Sequence, residues 1–153
     1  MKLEKFEGLR ENYIASGGEI EEFKKQAGKV DIGYKISYSK KITEADVYAF
    51  GLVSGDWNPI HFDDEFASQT KFGKRVAHGM LTTSLVSAAV AQMPGIIVLL
   101  KTDFSYLKPV SIGDVVEVKG EVVGKNKNRF TLEIGCYVGD EKVVSGEVKL
   151  LIW

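Results

Sequence analysis

The hydrophobic pattern begins helical, turns strand-like, returns to helix and ends in strands. Leu3, Phe6, Tyr13 and Ile14 share one helical face before Gly17-Gly18 interrupts them. Ile20, Phe23 and Ala27 make a second stripe at i, i+3 and i+7, opened by glutamates, followed by lysines and stopped by Gly28. This spacing predicts two short helices in residues 1–30, an arm lying on a main domain of residues 31–153. Short amphipathic helices usually cover a core; a dimer or partner contact is the other reading.

Residues 33–41 alternate Tyr34, Ile36 and Tyr38 with lysines and serines, the mark of a half-exposed strand. Thr43 reads as an N-cap with Asp46 in the capping-box position, and the helix runs to about Ser54 with Gly55 as its stop. Val47, Phe50 and one of Leu52 or Val53 are expected in the core. Residues 56–78 read mostly as loop, with a helical turn near Asp63–Ser68. Residues 79–93 carry no charge and are apolar on nearly every side, which predicts a buried helix ended by Pro94-Gly95. Strands follow at Ile96–Leu107 and Asp114–Val123, then in an alternating run from Arg129 to Val138, then at Val144–Ile152. Residues 125–128 and 139–141 read as hairpin turns. The order predicts an α+β domain: a curved antiparallel sheet, its last four strands a meander, wrapped around one long apolar helix.

Composition narrows the function classes. Hydrophobic residues make up 44% and charged residues 27% of 153 positions, enough for a packed single domain. A net charge of −1 gives no nucleic-acid footprint. Cys136 is the one cysteine, so no internal disulfide can form, and its place in an alternating strand makes it a core residue. The N-terminus mixes acids and bases, unlike a secretory signal, and the uncharged stretch Val76–Leu100 is too interrupted to span a membrane. A soluble, cytoplasmic protein is expected.

The candidate chemistry lies in residues 51–80, which hold both histidines. Pro59 restricts Asn58 to extended geometry and ends any preceding helix, so the chain turns and Asp56 and His61 can converge. A carboxylate and an imidazole around one point can hold a water and move its protons. Gly79 opens the apolar helix, whose first N–H groups have no internal partner and can face an oxyanion. His78 reads as a capping or hydrogen-bonding residue. A metal site from Asp56, His61, Asp63 and Asp64 is a weaker alternative, lacking a second ligand at the usual spacing. No G-x-S-x-G elbow marks a serine hydrolase. Lys71, Lys74 and Arg75 read as a solvated basic loop or as contacts for phosphates.

Residues SGDWNPIHFDDEFA followed by FGKRVAHGMLTTSLVS resemble the signature of the MaoC-like, (R)-specific enoyl-CoA hydratases. The likeness covers about residues 33–152 and leaves out the arm. It implies a hotdog fold, hydration of a trans-2-enoyl thioester to the (R)-3-hydroxyacyl thioester, reversibility, and no metal or redox cofactor. It implies a homodimer or higher homo-oligomer with joined sheets, acyl-CoA as substrate, and neither nucleic acid nor membrane as partner. By the same resemblance Asp56 and His61 form the catalytic dyad and the Gly79 amide binds the thioester oxygen. Asn58 holds the loop, Ser87 lines the acyl site, and His78 belongs with the substrate-binding residues. Trp57 or Phe62 is expected at the acyl tunnel. Some relatives carry Arg-Pro where this chain has Lys74-Arg75-Val76, which alters the loop and not the dyad. A hotdog thioesterase and a non-catalytic thioester-binding protein are the alternatives.

Overall fold

The computed structural model describes residues 4–153. Its centre is the predicted apolar helix, here α5 (Gly79–Ala91), which buries Leu81, Leu85, Val86, Ala89 and Val90. Around it curves a five-stranded antiparallel sheet of β1 (Lys35–Lys41), β2 (Ile97–Tyr106), β3 (Val115–Asn126), β4 (Arg129–Val138) and β5 (Glu141–Ile152). The alternating positions Val116, Val118 and Val122, then Phe130, Leu132, Ile134 and Cys136, then Val144, Val148 and Leu150, all turn to one core. Burial there pushes the Cys136 thiol up to about 11, so it stays a neutral packing group. This is the expected arrangement of a sheet wrapped around one helix.

Curvature has a visible cause. Ile36, Gly120, Ile134, Gly146 and Phe104 face one another across successive strands. Large side chains and glycines alternate in that row. A Cβ on Gly120 would lie 2.7 Å from Ile134 and 2.9 Å from Ile36. A Cβ on Gly146 would press on the Asp103 carbonyl oxygen and the Phe104 ring. The missing side chains let the sheet close over α5.

Strand order departs from the expected meander. It runs β1-β3-β4-β5-β2, so only β3, β4 and β5 follow one another through hairpins. Strand β2 pairs with the far side of β5, and β1 edges the sheet on β3. Alternation records which side chains face inward, not which strands are neighbours, so the crossover left no trace in the pattern. The β2–β3 connection passes beside residues 76–77, where Ala77 N–H donates to Val110 O at 2.8 Å.

Before the core helix come α1 (Glu7–Ala15), α2 (Glu44–Ser54), α3 (Pro59–Phe62) and α4 (Asp64–Ser68). Helix α2 begins and ends where its caps predict: Thr43 and Asp46 form a reciprocal capping box, and Gly55 closes it at φ 78°. Leu52 and Val53 are exposed, contrary to expectation, while Val47 is buried and Phe50 half-buried. Pro59, expected only to stop a helix, starts α3 at a position where its missing N–H has no cost.

The second predicted helix of the arm does not form. Residues 19–28 run without helix or strand, and Ile20 and Phe23 are exposed, so that stripe meets no core. Isolated short helices are marginal without such packing. Instead, Gln26 N–H donates to Gln92 O and Lys25 Nζ to Ala91 O, tying the segment to the end of α5. Leu3, the first residue of the other stripe, lies outside the described residues. Helix α1 is held by Tyr13, whose hydroxyl donates to Asp46 Oδ1 at 2.5 Å, while Lys40 Nζ donates to Tyr13 and to Glu19 O.

The glycine row yields a direct test. Gly146→Ala forces a backbone contact apart and should destabilise the fold by at least about 2 kcal/mol. Gly8→Ala, where an added Cβ meets nothing, should be close to neutral or stabilising. Urea denaturation of both variants reads the difference.

Candidate active site

The turn after α2 is built from short local bonds. Ser54 Oγ donates to Phe50 O, Asp56 N–H donates back to Ser54 Oγ, and Asn58 N–H donates to Asp56 Oδ1 at 3.0 Å. Asn58 Oδ1 then accepts from Ile60 N–H as the N-cap of α3, placing His61 on that single turn. The five-residue separation of Asp56 and His61 is thereby folded into proximity. Asp56 Oδ2 lies 3.9 Å from His61 Nε2, with the carboxylate about half exposed and the imidazole 11% exposed.

His61 has one defined tautomer. Its Nδ1 lies 2.7 Å from the Val76 carbonyl, which can only accept, so Nδ1 carries the proton and Nε2 presents a lone pair toward Asp56. His78 packs behind it, ring centroids 3.9 Å apart and planes tilted by 32°. His78 Nε2–H donates to the Asp56 carbonyl at 3.1 Å, and its buried Nδ1 has no partner among the described residues. Burial, with a smaller contribution from His61, pushes the His78 ring below the usual histidine range. His78 is therefore a neutral brace that grips the backbone of Asp56 and the face of His61.

Donor atoms of Asp56, His61 and His78 lie within 4.8 Å of one another. Asp63 and Asp64 are not part of this group: Asp63 caps Phe66 N–H, and Asp64 pairs with Arg75. The metal set of Asp56, His61, Asp63 and Asp64 is therefore not assembled.

Gly79 is the first residue of α5, and it borders a cavity of about 550 Å³ together with His61, Asn58, Thr82 and Tyr106. His61 and the helix start thus share one space, whereas Asp56 does not border it and stands 3.9 Å from His61 Nε2. Ser87 does not border this cavity. It lies in a separate groove of about 370 Å³ between α5 and β2, with Val86, Val90, Leu99 and Phe104. Trp57 and Phe62, expected at the tunnel, border neither space. They pack on each other at 5.0 Å and over Gly51 and Tyr48 of α2. Gly51 lacks the Cβ that would meet both rings.

The basic loop divides. Lys71 borders the cavity, as does Lys108 from the crossover. Arg75 is instead an ion-pair hub, bonded to Glu44 of α2, to Asp64 of α4 and to the His61 carbonyl. The Glu44 bonds, then those to Asp64, keep its guanidinium firmly charged despite partial burial. The sequence pattern marks Arg75 only as part of a basic loop and does not mark the Val76 carbonyl, Thr82 or Tyr106. A hydroxyl at i+3 from Gly79 is the one available hint for Thr82, whose buried Oγ1 has no partner among the described residues.

Residues 25–144 match the family described as the MaoC like domain. A 3-hydroxybutyryl-CoA dehydratase of Methylorubrum extorquens is 40% identical over 123 residues, covering 77% of this chain and 78% of that protein. The crystal structure of protein af1124 from Archaeoglobus fulgidus superposes with a TM-score of 0.96 at 54% identity, over 99% of this chain and 97% of that one. An (R)-hydratase from A. caviae involved in PHA biosynthesis superposes with a TM-score of 0.78 at 32% identity, over 83% and 100% of the two chains. The fold, the Asp56–His61 turn beside the start of a buried helix, and these likenesses agree: the chain belongs to the MaoC-like hydratases and dehydratases of the hotdog fold.

Proposed function

We propose that the protein catalyses the reversible, (R)-specific hydration of trans-2-enoyl-CoA thioesters. The observation that carries this reading is the 3.9 Å gap between Asp56 Oδ2 and His61 Nε2, with His61 and Gly79 bordering one cavity. That gap is too long for a direct hydrogen bond and suits two acceptors that share one water. The thioester oxygen binds at the Gly79 amide, where the first turn of α5 stabilises the charge that develops as C3 is attacked. A donor of this kind contributes about 3 kcal/mol.

The fixed tautomer of His61 supports a single base. Nε2 accepts a proton from the water as the water oxygen bonds to C3. Electrons move through the double bond to the thioester oxygen. As they return, the imidazolium delivers a proton to C2, so one hydroxyl and one hydrogen are added. Asp56 orients the water and balances the transient imidazolium. Asn58 holds the Asp56 turn, and His78 keeps both groups in place without adding charge. Lys71 and Lys108 border the cavity mouth, where CoA phosphates would find them. A mixed-charge surface and a lone buried thiol fit work in the cytoplasm. Among the described residues, no helix is long and apolar enough to cross a membrane.

The functional unit is a homodimer joined along β2. That edge strand exposes Leu99 and Leu100, and Tyr106 and Leu107 at its end, an apolar edge that a lone subunit would leave open.

Three outcomes test this reading. Asp56→Asn and His61→Ala should each lower kcat for crotonyl-CoA hydration by about 10² to 10⁴, followed as loss of enoyl absorbance. Full turnover in both variants overturns the dyad, an (S)-product overturns the stereochemistry, and release of free thiol without hydration marks a thioesterase. His78 supplies a pH signature in stability. A histidine held below its unfolded value of about 6.5 leaves stability intact above that pH and erodes it as pH falls further, because the unfolded chain then binds the extra proton. The loss of Tm below about pH 6.5 should be shallower in His78→Gln than in the parent. Light scattering should give a dimer mass that Leu100→Lys reduces to a monomer.

A further inference from the structure

We infer that Tyr106 is a specificity-determining gate that confines this site to short-chain enoyl thioesters. The inference rests on the hydratase reading and names its substrate class. Tyr106, at the end of β2, borders both the cavity that holds His61 and the apolar groove that holds Ser87, and among the described residues no other borders both. Its ring lies against the start of α5: a Cβ on Gly79 would sit 2.9 Å from Tyr106 Cε1. Its hydroxyl lies 3.1 Å from Thr83 Oγ1, one turn further along the helix. The ring is therefore pinned at both ends, across the line from the Gly79 amide to the groove.

Both spaces have apolar walls: Ile60, Phe72, Leu107 and Val110 line the His61 cavity beside its two lysines, and Phe50, Val86, Val90, Leu99 and Phe104 line the groove. An acyl chain that outgrows the cavity gains further apolar burial by entering that groove. To do so it must swing Tyr106 away and break the bond to Thr83. A four-carbon enoyl group ends before the groove and leaves the ring in place. An eight-carbon group does not. The obstacles to that swing are the Thr83 bond and the contact with Gly79.

The test compares crotonyl-CoA with trans-2-octenoyl-CoA in the parent and in Tyr106→Ala, Tyr106→Phe and Thr83→Val. The expected result is a parent that prefers the four-carbon substrate. In Tyr106→Ala the eight-carbon to four-carbon ratio of kcat/KM should rise about tenfold or more, the scale of discrimination by one apolar pocket feature. Tyr106→Phe and Thr83→Val, which release the hydroxyl and disturb packing little, should raise it less but in the same direction. An unchanged ratio in all three variants overturns the gate. The affinities of butyl-CoA and octyl-CoA thioethers, measured by calorimetry on the same proteins, should show the same shift. They keep the two readings separate: a parent that hydrates no enoyl-CoA refutes the hydratase, while thioether affinities that ignore Tyr106 refute the gate.

Discussion

A helix apolar on nearly all sides can be buried along its length but not at its ends. The first N–H groups of α5 have no partner within the helix and need one outside it. The sheet covers the body of the helix, and its glycine row allows the wrap to be tight. The N-terminus is left at the rim of a cavity, with the Tyr106 ring packed where a side chain on its first residue, Gly79, would stand. The same constraint that forbids complete burial therefore creates the place where a developing negative charge is welcome. The imidazole is brought to that place, with the carboxylate 3.9 Å from it, by a turn too short to wander.

That turn is stiff because each polar group in it answers another. Ser54, Asp56 and Asn58 close three successive local bonds, and Pro59 removes the donor that would otherwise need a partner. His61 is locked from one side by a carbonyl and from its face by a second imidazole. Arg75 ties the underside of the turn to two neighbouring helices. If the proposed chemistry takes place here, preorganisation of this kind leaves little arranging for the substrate's binding free energy to do.

Local rules carried most of what could be read in advance. The Thr43–Asp46 box, Gly55 and Pro94-Gly95 are governed by backbone chemistry within a few residues, and each behaves as that chemistry requires. The convergence of Asp56 and His61 follows from one proline, and the place of Gly79 from one apolar run. What stayed hidden depends on distant parts of the chain. Strand β2 lies beyond β5 because of a crossover that no alternation records. Residues 19–28 have a helical stripe but no surface to bury it, so bonds to the end of α5 decide their course. Trp57 and Phe62 sit on α2 because Gly51 makes room there, a pairing invisible in one dimension. Arg75 looked like one more surface lysine-like charge until Glu44 and Asp64 came to meet it.

Asp46 joins two parts of the molecule that seem unrelated. One of its oxygens caps the start of α2, and the other receives Tyr13 from the arm, with Lys40 close by. The far end of α2 launches the turn that carries Asp56. Detachment of α1 and fraying of α2 therefore belong to one cooperative opening unit, separate from the sheet and α5. Amides of α1, α2 and the Asp56 turn would exchange with solvent together, at a lower free energy than those of β3, β4 and β5. Under gradual stress the protein would lose its reactive geometry while most of its fold persisted, so inactivation would precede denaturation.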